Sequence, residues 1–344
     1  MADGVLAAAP ARRMAASALP TLGIALLWAF LAIFLVYPLV RVFYDAFSDE
    51  AGRLTLDNLV AFAGDAFYRR SLWNSLLLGL GTVAATSILG FAIALLLVRY
   101  DFPGRGLFGY LTLIPIVSPP LVGVLGFTFI MGKAGTVNVL LEDWFGLARP
   151  INFVYGIHGV LLVETLHLFP MITLNVVDAL GRIDPSLEEA AESVGARAWS
   201  RLTTITLPLT TPGYVAGALL VFIWTFSDFA TPLVLGVHDL LASQAYLNIV
   251  QFVDRRLFRM GLVISALMVA LAVLFLIAAR RYVAIKDYSS LSYSRVPRRR
   301  LRPLAATGAV TFLSAVMLCS FVPYLGVALA SVGKGWSMTP FPVR

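Results

Sequence analysis

Apolar residues along this chain come in long unbroken blocks, without the alternation of a half-buried strand or the stripe of a surface helix. Seven blocks stand out: about Leu22–Tyr44, Leu72–Val98, Leu107–Met131, Gly156–Val177, Gly213–Leu235, Met260–Ala279 and Leu304–Ala330. Each reaches roughly the 20 residues that a helix needs to cross a hydrocarbon layer. Continuous blocks also exclude a barrel, whose strands would alternate between lipid and lumen. The pattern predicts an all-α integral membrane protein.

Composition agrees: 59% of residues are hydrophobic and only 13% charged, against about 25% charged in soluble domains. The formal net charge of +7 raises the question of nucleic acid. The positive residues, however, sit in short segments between apolar blocks, as the positive-inside rule requires, so no nucleic-acid partner is expected. Arg12 and Arg13 precede the first block, and Arg99 and Arg105 separate the second from the third. Arg280, Arg281, Lys286, Arg295, Arg298, Arg299, Arg300 and Arg302 follow the sixth. Six crossings put all of them on one side, expected to be cytoplasmic, together with residues 1–19 and the loop Asp178–Pro212. The acidic loop Asp45–Arg70 then falls outside. The uncharged run Leu22–Val40 is too long for a signal peptide and lacks a small-x-small cleavage site, so a retained first span is expected. The lone Cys319 lies in an apolar run and can build neither a disulfide nor a cysteine metal site.

Two blocks carry prolines that disturb a helix by removing a backbone donor: Pro115, Pro119 and Pro120 in the third, and Pro208, Pro212 and Pro232 around the fifth. Carbonyls freed at membrane depth need a partner helix or a wet cavity. Between the fourth and fifth blocks, Asp184-Pro185 reads as an N-cap followed by proline at the first helical position. Gly195 is placed to end that helix in a left-handed conformation. A second helical stretch is expected from Ala196 to Pro208. The product is a rigid knob between two crossings, suited to a groove on a soluble partner.

Within this knob, Glu189-Ala190-Ala191, Gly195, Ile205, Leu207 and Pro208 stand at the spacing EAA-x3-G-x9-I-x-L-P. The loop resembles the signature of binding-protein-dependent ABC importer permeases. The stretch Trp224–Gly236 is similar to the fifth-helix segment of the branch that includes ferric iron, thiamine and aminoethylphosphonate permeases. The resemblance implies a type I importer transmembrane domain of six helices over about 20–288, with its coupling loop at about 184–208. It implies that residues 189–195 dock on an ABC ATPase subunit, which would hydrolyse ATP. A periplasmic or lipid-anchored solute-binding protein would deliver the solute at the bacterial inner membrane. No enzymatic activity and no cofactor are expected of the chain itself.

After the basic linker 289–303, Phe321-Val322-Pro323-Tyr324-Leu325 repeats the pattern of Leu35-Val36-Tyr37-Pro38-Leu39 in the first block. Residues 304–344 are therefore read as the first helix and start of an incomplete second permease unit. The alternative is a seven-span protein. A second unit, in a longer chain or a partner subunit, is an expected partner, with membrane lipid around both. Ionisable residues at membrane depth face a bundle interior or water. Glu164 and His167 share one helical face, and Asp228 lies beside Ser227 and Thr231. With Ser118 and Pro119 these are candidate pathway residues, or equally hydrogen-bonded glue between helices. No metal site is expected among them.

Overall fold

The computed structural model describes residues 21–49, 51–284 and 298–333. Arg12, Arg13, Lys286, Arg295, the segment 1–19 and most of the linker 289–303 lie outside the described residues. The rest is helical. In order come α1 (Thr21–Ala46, with a π-helical stretch at Ala32–Val36), α2 (Asp57–Gly64) and α3 (Ala66–Arg99). The two-residue strand β1 (Tyr100–Asp101) leads to α4 (Arg105–Leu111), α5 (Ile114–Val117), α6 (Pro120–Met131) and α7 (Thr136–Phe145). Then follow α8 (Ile157–Gly181), α9 (Pro185–Ser193), α10 (Ala198–Ser227), α11 (Ala230–Val234), α12 (Leu241–Ile249) and α13 (Arg255–Ala284). Strand β2 (Arg299–Arg300) and α14 (Pro303–Val332) close the described chain. Among the described residues, seven helical stretches are long and apolar enough to cross a membrane, the third of them α6 and α7 taken together (Pro120–Phe145).

Three boundaries differ from the sequence reading. The crossing expected at Leu107–Met131 is not one helix but α4, α5 and α6, because Ser118 and Pro119 are extended (ψ 140° and 138°). A residue before proline is pushed out of the helical region, and Ser118 precedes Pro119, itself followed by Pro120. The crossing expected at Gly213–Leu235 ends at Ser227, where Asp228 is extended (ψ 123°), and Thr231–Leu235 belong to a separate turn. At its other end Pro208 does not stop the preceding helix. A π-helical stretch at Leu202–Thr206, in which Leu207 N–H bonds the Leu202 carbonyl, carries α10 through Pro208 and Pro212. π-bulges absorb such irregularities in an otherwise α-helical ladder.

Helix α8 is the axle of the bundle, with 72% of its apolar window buried against at most 39% for any other crossing. Leu168, Phe169, Ile172 and Val176 are fully buried, and α8 packs against α3 and α10. The apolar window of α1, by contrast, is 0% buried. Helix α14 crosses α6 at backbone contact: a Cβ added at Gly126 would lie 2.6 Å from Pro323 Cα and nearer still to its carbonyl. Small residues allow such approaches where lipid offers no hydrophobic drive between helices. At the basic end, β1 and β2 form a parallel two-residue ladder, extended by Leu301 N–H donating to Asp101 O at 3.2 Å. α14 and β2 are thus tied to the preceding helices near both ends of α14.

Candidate functional site

The knob forms for the local reasons its sequence suggests. The Asp184 carboxylate accepts from Ser186 N–H at 3.0 Å, and Pro185 opens α9. Gly195 has φ +83°, and the turn closes with Gly195 N–H to Glu192 O (3.0 Å) and Ala196 N–H to Ala191 O (2.9 Å). This is a left-handed glycine termination that satisfies the last carbonyls of the helix. Glu189, Ala190 and Gly195 face outward, with Ala191 and Ile205 half-buried and Leu207 and Pro208 exposed. Two apolar side chains missed in the sequence, Val194 (83% exposed) and Trp199 (73% exposed), extend the same outward surface.

The inward face of the knob is ionic. Glu188 pairs with Arg99 at the end of α3, while Thr206 donates to Glu188 at 2.8 Å and Arg99 donates to Thr206 at 2.9 Å. Charge-assisted bonds of this kind are the stronger class. Glu192 accepts from Arg201 and, at 2.6 Å, from Arg299 of β2. The Arg299 bond, then that of Arg201, holds the Glu192 carboxyl below its ordinary range. The reach of this network was not visible as spacing, since Arg99 and Arg299 come from segments distant from the helix that carries Glu188 and Glu192. A cavity of about 320 Å³ lies behind α9, between Arg99, Glu188, Trp199 and Arg299.

The candidate pathway residues lie far from the knob. Tyr324 stands 21 residues after the start of α14 at Pro303, about 30 Å along the helix at 1.5 Å per residue. There the breaks of α5–α6 and α10–α11 meet α8. Glu164, only 2% exposed, accepts from Thr225 at 3.4 Å and lies beside Asp228 and Thr231. Asp228 caps α11 by accepting from Ala230 N–H (2.9 Å) and Thr231 N–H (3.3 Å). The field of Asp228 reaches His167, whose Nε2 is buried without a hydrogen-bond partner. Glu164, His167 and Thr231 line a narrow cleft with Pro115, Pro120 and Tyr324. Ser118 does not line it; its hydroxyl donates to Pro119 O at 3.3 Å, and Pro119 is exposed. Ser227 does not join the cluster; it is exposed and donates to Ile223 O at 2.6 Å. Among the described residues no group of three or more His, Cys, Asp or Glu side chains is arranged to hold a metal ion. Ser320 and Tyr324, which line the cleft, and Thr225, which donates to Glu164, are polar residues that sequence reasoning missed, because nothing in their neighbourhoods marks depth or facing.

Residues 62–286 match the family model described as "binding-protein-dependent transport system inner membrane component". The chain is 30% identical over 261 residues to the ferric transport system permease protein FbpB of Actinobacillus pleuropneumoniae, covering 74% of this chain and 38% of that protein. It is 36% identical over 164 residues to the molybdenum transport system permease protein ModB of Escherichia coli K12 (46% and 69%). It is 29% identical over 228 residues to the putative 2-aminoethylphosphonate transport system permease protein PhnU of Salmonella choleraesuis (66% and 80%). The chain thus spans less than two fifths of the length of the FbpB relative. Among solved structures, a chain of a bacterial alginate ABC transporter in complex with its periplasmic protein matches with a TM-score of 0.61 at 18% identity, covering 78% of this chain and 95% of that chain, which shows the shared fold. This multi-pass helical chain belongs to the binding-protein-dependent transport system inner membrane component family.

Proposed function

We propose that the chain is the permease subunit of an ATP-driven, binding-protein-dependent importer, and that its solute is ferric iron. The observation that carries the reading is the knob: an outward helix with exposed Glu189, Val194 and Trp199, a left-handed Gly195, and an inward face clamped by ion pairs to α3 and α10. A protruding helix clamped at its base transmits force from a soluble partner instead of absorbing it. α10 carries that force onward. Its 30 residues make a rod about 45 Å long, running from the knob to the Asp228 break beside the cleft. Closure of two ATPase subunits on the knobs of two permease units would move the cleft-lining breaks between two arrangements. On this reading the N-terminus and knob are cytoplasmic, the cleft faces the solute-binding protein, and ATP is hydrolysed by the separate subunit. α14 is then the first helix of a second unit that supplies the second knob.

Ferric iron is favoured by the FbpB relatives and by the carboxyl groups of Glu164, in the cleft, and Asp228, beside it. A second reading, an oxyanion importer, is favoured by the ModB and PhnU relatives. A carboxylate held beside the cleft repels an anionic solute and speaks against it. The test is uptake of labelled ferric iron in a deletion strain complemented with the full-length gene or its Gly195→Arg variant. Import restored by the first and not the second supports the proposal. Iron uptake equal in all three strains removes iron and directs the same assay to molybdate and 2-aminoethylphosphonate.

A further inference from the structure

The break between α5 and α6 leaves a specific atom without its helical partner. In an uninterrupted helix the Pro115 carbonyl would accept from the N–H of residue 119, but residue 119 is proline and has none. An unpaired carbonyl at membrane depth must be satisfied from outside its own segment. Here the partner is Tyr324 of α14, whose hydroxyl donates to Pro115 O at 3.1 Å across 209 residues of sequence. The Ser118 hydroxyl, at the break itself, donates to Pro119 O at 3.3 Å. The neighbouring residue, Pro323, sits at the backbone crossing of α14 with Gly126, so the tyrosine is delivered to the break by a rigid contact. Its ring also borders the cleft that holds Glu164, His167 and Thr231.

We infer that Tyr324 is a positioning residue, a latch from the segment after the linker that holds the Ser118–Pro119 break in the arrangement seen here. Release of its bond to Pro115 O accompanies opening of the cleft. The inference deepens the importer reading and rests on it for the role of that opening in transport. The latch makes the cleft answer to two units at once: α5 and α6 belong to the first, and Tyr324 stands on the helix that follows the linker. A phenol suits the task, since it donates one strong bond at the end of a stiff ring and carries no charge into the bundle.

The experiment uses the full chain in membrane vesicles, with Cys319→Ser to remove the native thiol and Gly123→Cys as reporter. Gly123 lines the cleft, and a Cβ there meets nothing within 4 Å. The rate of modification by a charged maleimide is measured in vesicles of both orientations. Tyr324→Phe keeps the ring and is expected to speed labelling roughly tenfold, the equilibrium shift given by losing one hydrogen bond to an otherwise unpaired carbonyl. Phe321→Leu, beside Tyr324 at a ring separation of 6.1 Å, loosens packing without touching the bond and is expected to leave the rate alone. Equal rates in Tyr324→Phe and its parent, or the same acceleration in both variants, would overturn the latch. Ferric iron uptake is followed in parallel in the deletion strain with and without the gene. Gene-dependent uptake with no acceleration removes the latch and keeps the importer; acceleration with gene-independent uptake keeps the latch and removes the ferric importer reading.

Discussion

Replacing Gly126 by alanine isolates the contact on which the docking of α14 depends. The added Cβ would sit 2.5 Å from Pro323 C and 2.6 Å from Pro323 Cα, both backbone atoms that no rotamer change can move. Carbon atoms settle at about 3.5–4.0 Å, so α14 must withdraw by about 1 Å. A gap of that size forfeits up to half of the dispersion energy along the seam. Overpacking of a rigid site costs about 1–3 kcal/mol, and with backbone on both sides the upper part of that range applies. At about 2–4 °C per kcal/mol for chains of a few hundred residues, the thermal midpoint in detergent should fall by roughly 4–12 °C. Gly123, three residues earlier on the same helix, supplies the control, because its added Cβ meets nothing within 4 Å. Gly123→Ala should therefore melt with the parent, and Gly126→Val should melt below Gly126→Ala. A Gly126→Ala chain that melts no lower than Gly123→Ala would refute the backbone-contact argument.

Gly195→Val places a β-branched residue at φ +83°, a strain of about 1–2 kcal/mol; it is expected to abolish uptake while the chain still reaches the membrane, as an immunoblot of the membrane fraction would show. Glu188→Ala strips the partner from Arg99, whose side chain is only 23% exposed, and should cost about 1–3 kcal/mol. The double variant with Arg99→Ala should lose less than the sum of the singles, a thermal-midpoint cycle that additivity would contradict. Glu192 is held below its ordinary range, chiefly by Arg299, so its contribution is present above the unfolded value of about 4.3 and fades as pH falls through the lower folded one. The difference in melting between the parent and Glu192→Gln should accordingly be full at pH 7 and disappear on acidification below that value; a difference that persists there would count against the ion pairs. Trp199→Asp and Val194→Asp, at exposed sites, should leave melting unchanged and reduce co-purification of the ATPase subunit.

The crossings were legible because burial in lipid writes itself into continuous apolar blocks, and the knob because Asp184, Pro185 and Gly195 each act on their own backbone within a few residues. The breaks were half legible. Prolines marked where the third and fifth crossings would be disturbed, but whether a proline kinks, breaks or is absorbed depends on its neighbours. Pro119 follows a residue free to extend, and the helix parts there. Pro208 follows five residues that wind into a π-helical stretch, and the helix continues. The clamp around Glu188 and the bond from Tyr324 were invisible for a different reason. Each joins residues about 90 or 200 apart in sequence, and a single sequence carries no record of which distant side chains face one another. Glu164, His167 and Asp228 were picked out by their cost in a membrane, and the structure places Glu164 and His167 in one cleft with Asp228 beside it; Ser227, picked out by adjacency alone, turns back on its own helix.

The bond between Pro115 and Tyr324 also has a consequence in time. The two residues are 209 positions apart, and a ribosome adds about 5–20 residues per second. Between about 10 and 40 s therefore pass, at those rates, from the synthesis of the broken segment to that of the hydroxyl that completes it. For that interval the first six crossings are made and inserted while one carbonyl waits. Water or a borrowed donor must hold its place, and the seam against α6 stays open until α14 arrives. Biogenesis thus has a late closing event, and a released chain truncated before residue 324 should be modified by a maleimide at Gly123→Cys faster than the full chain.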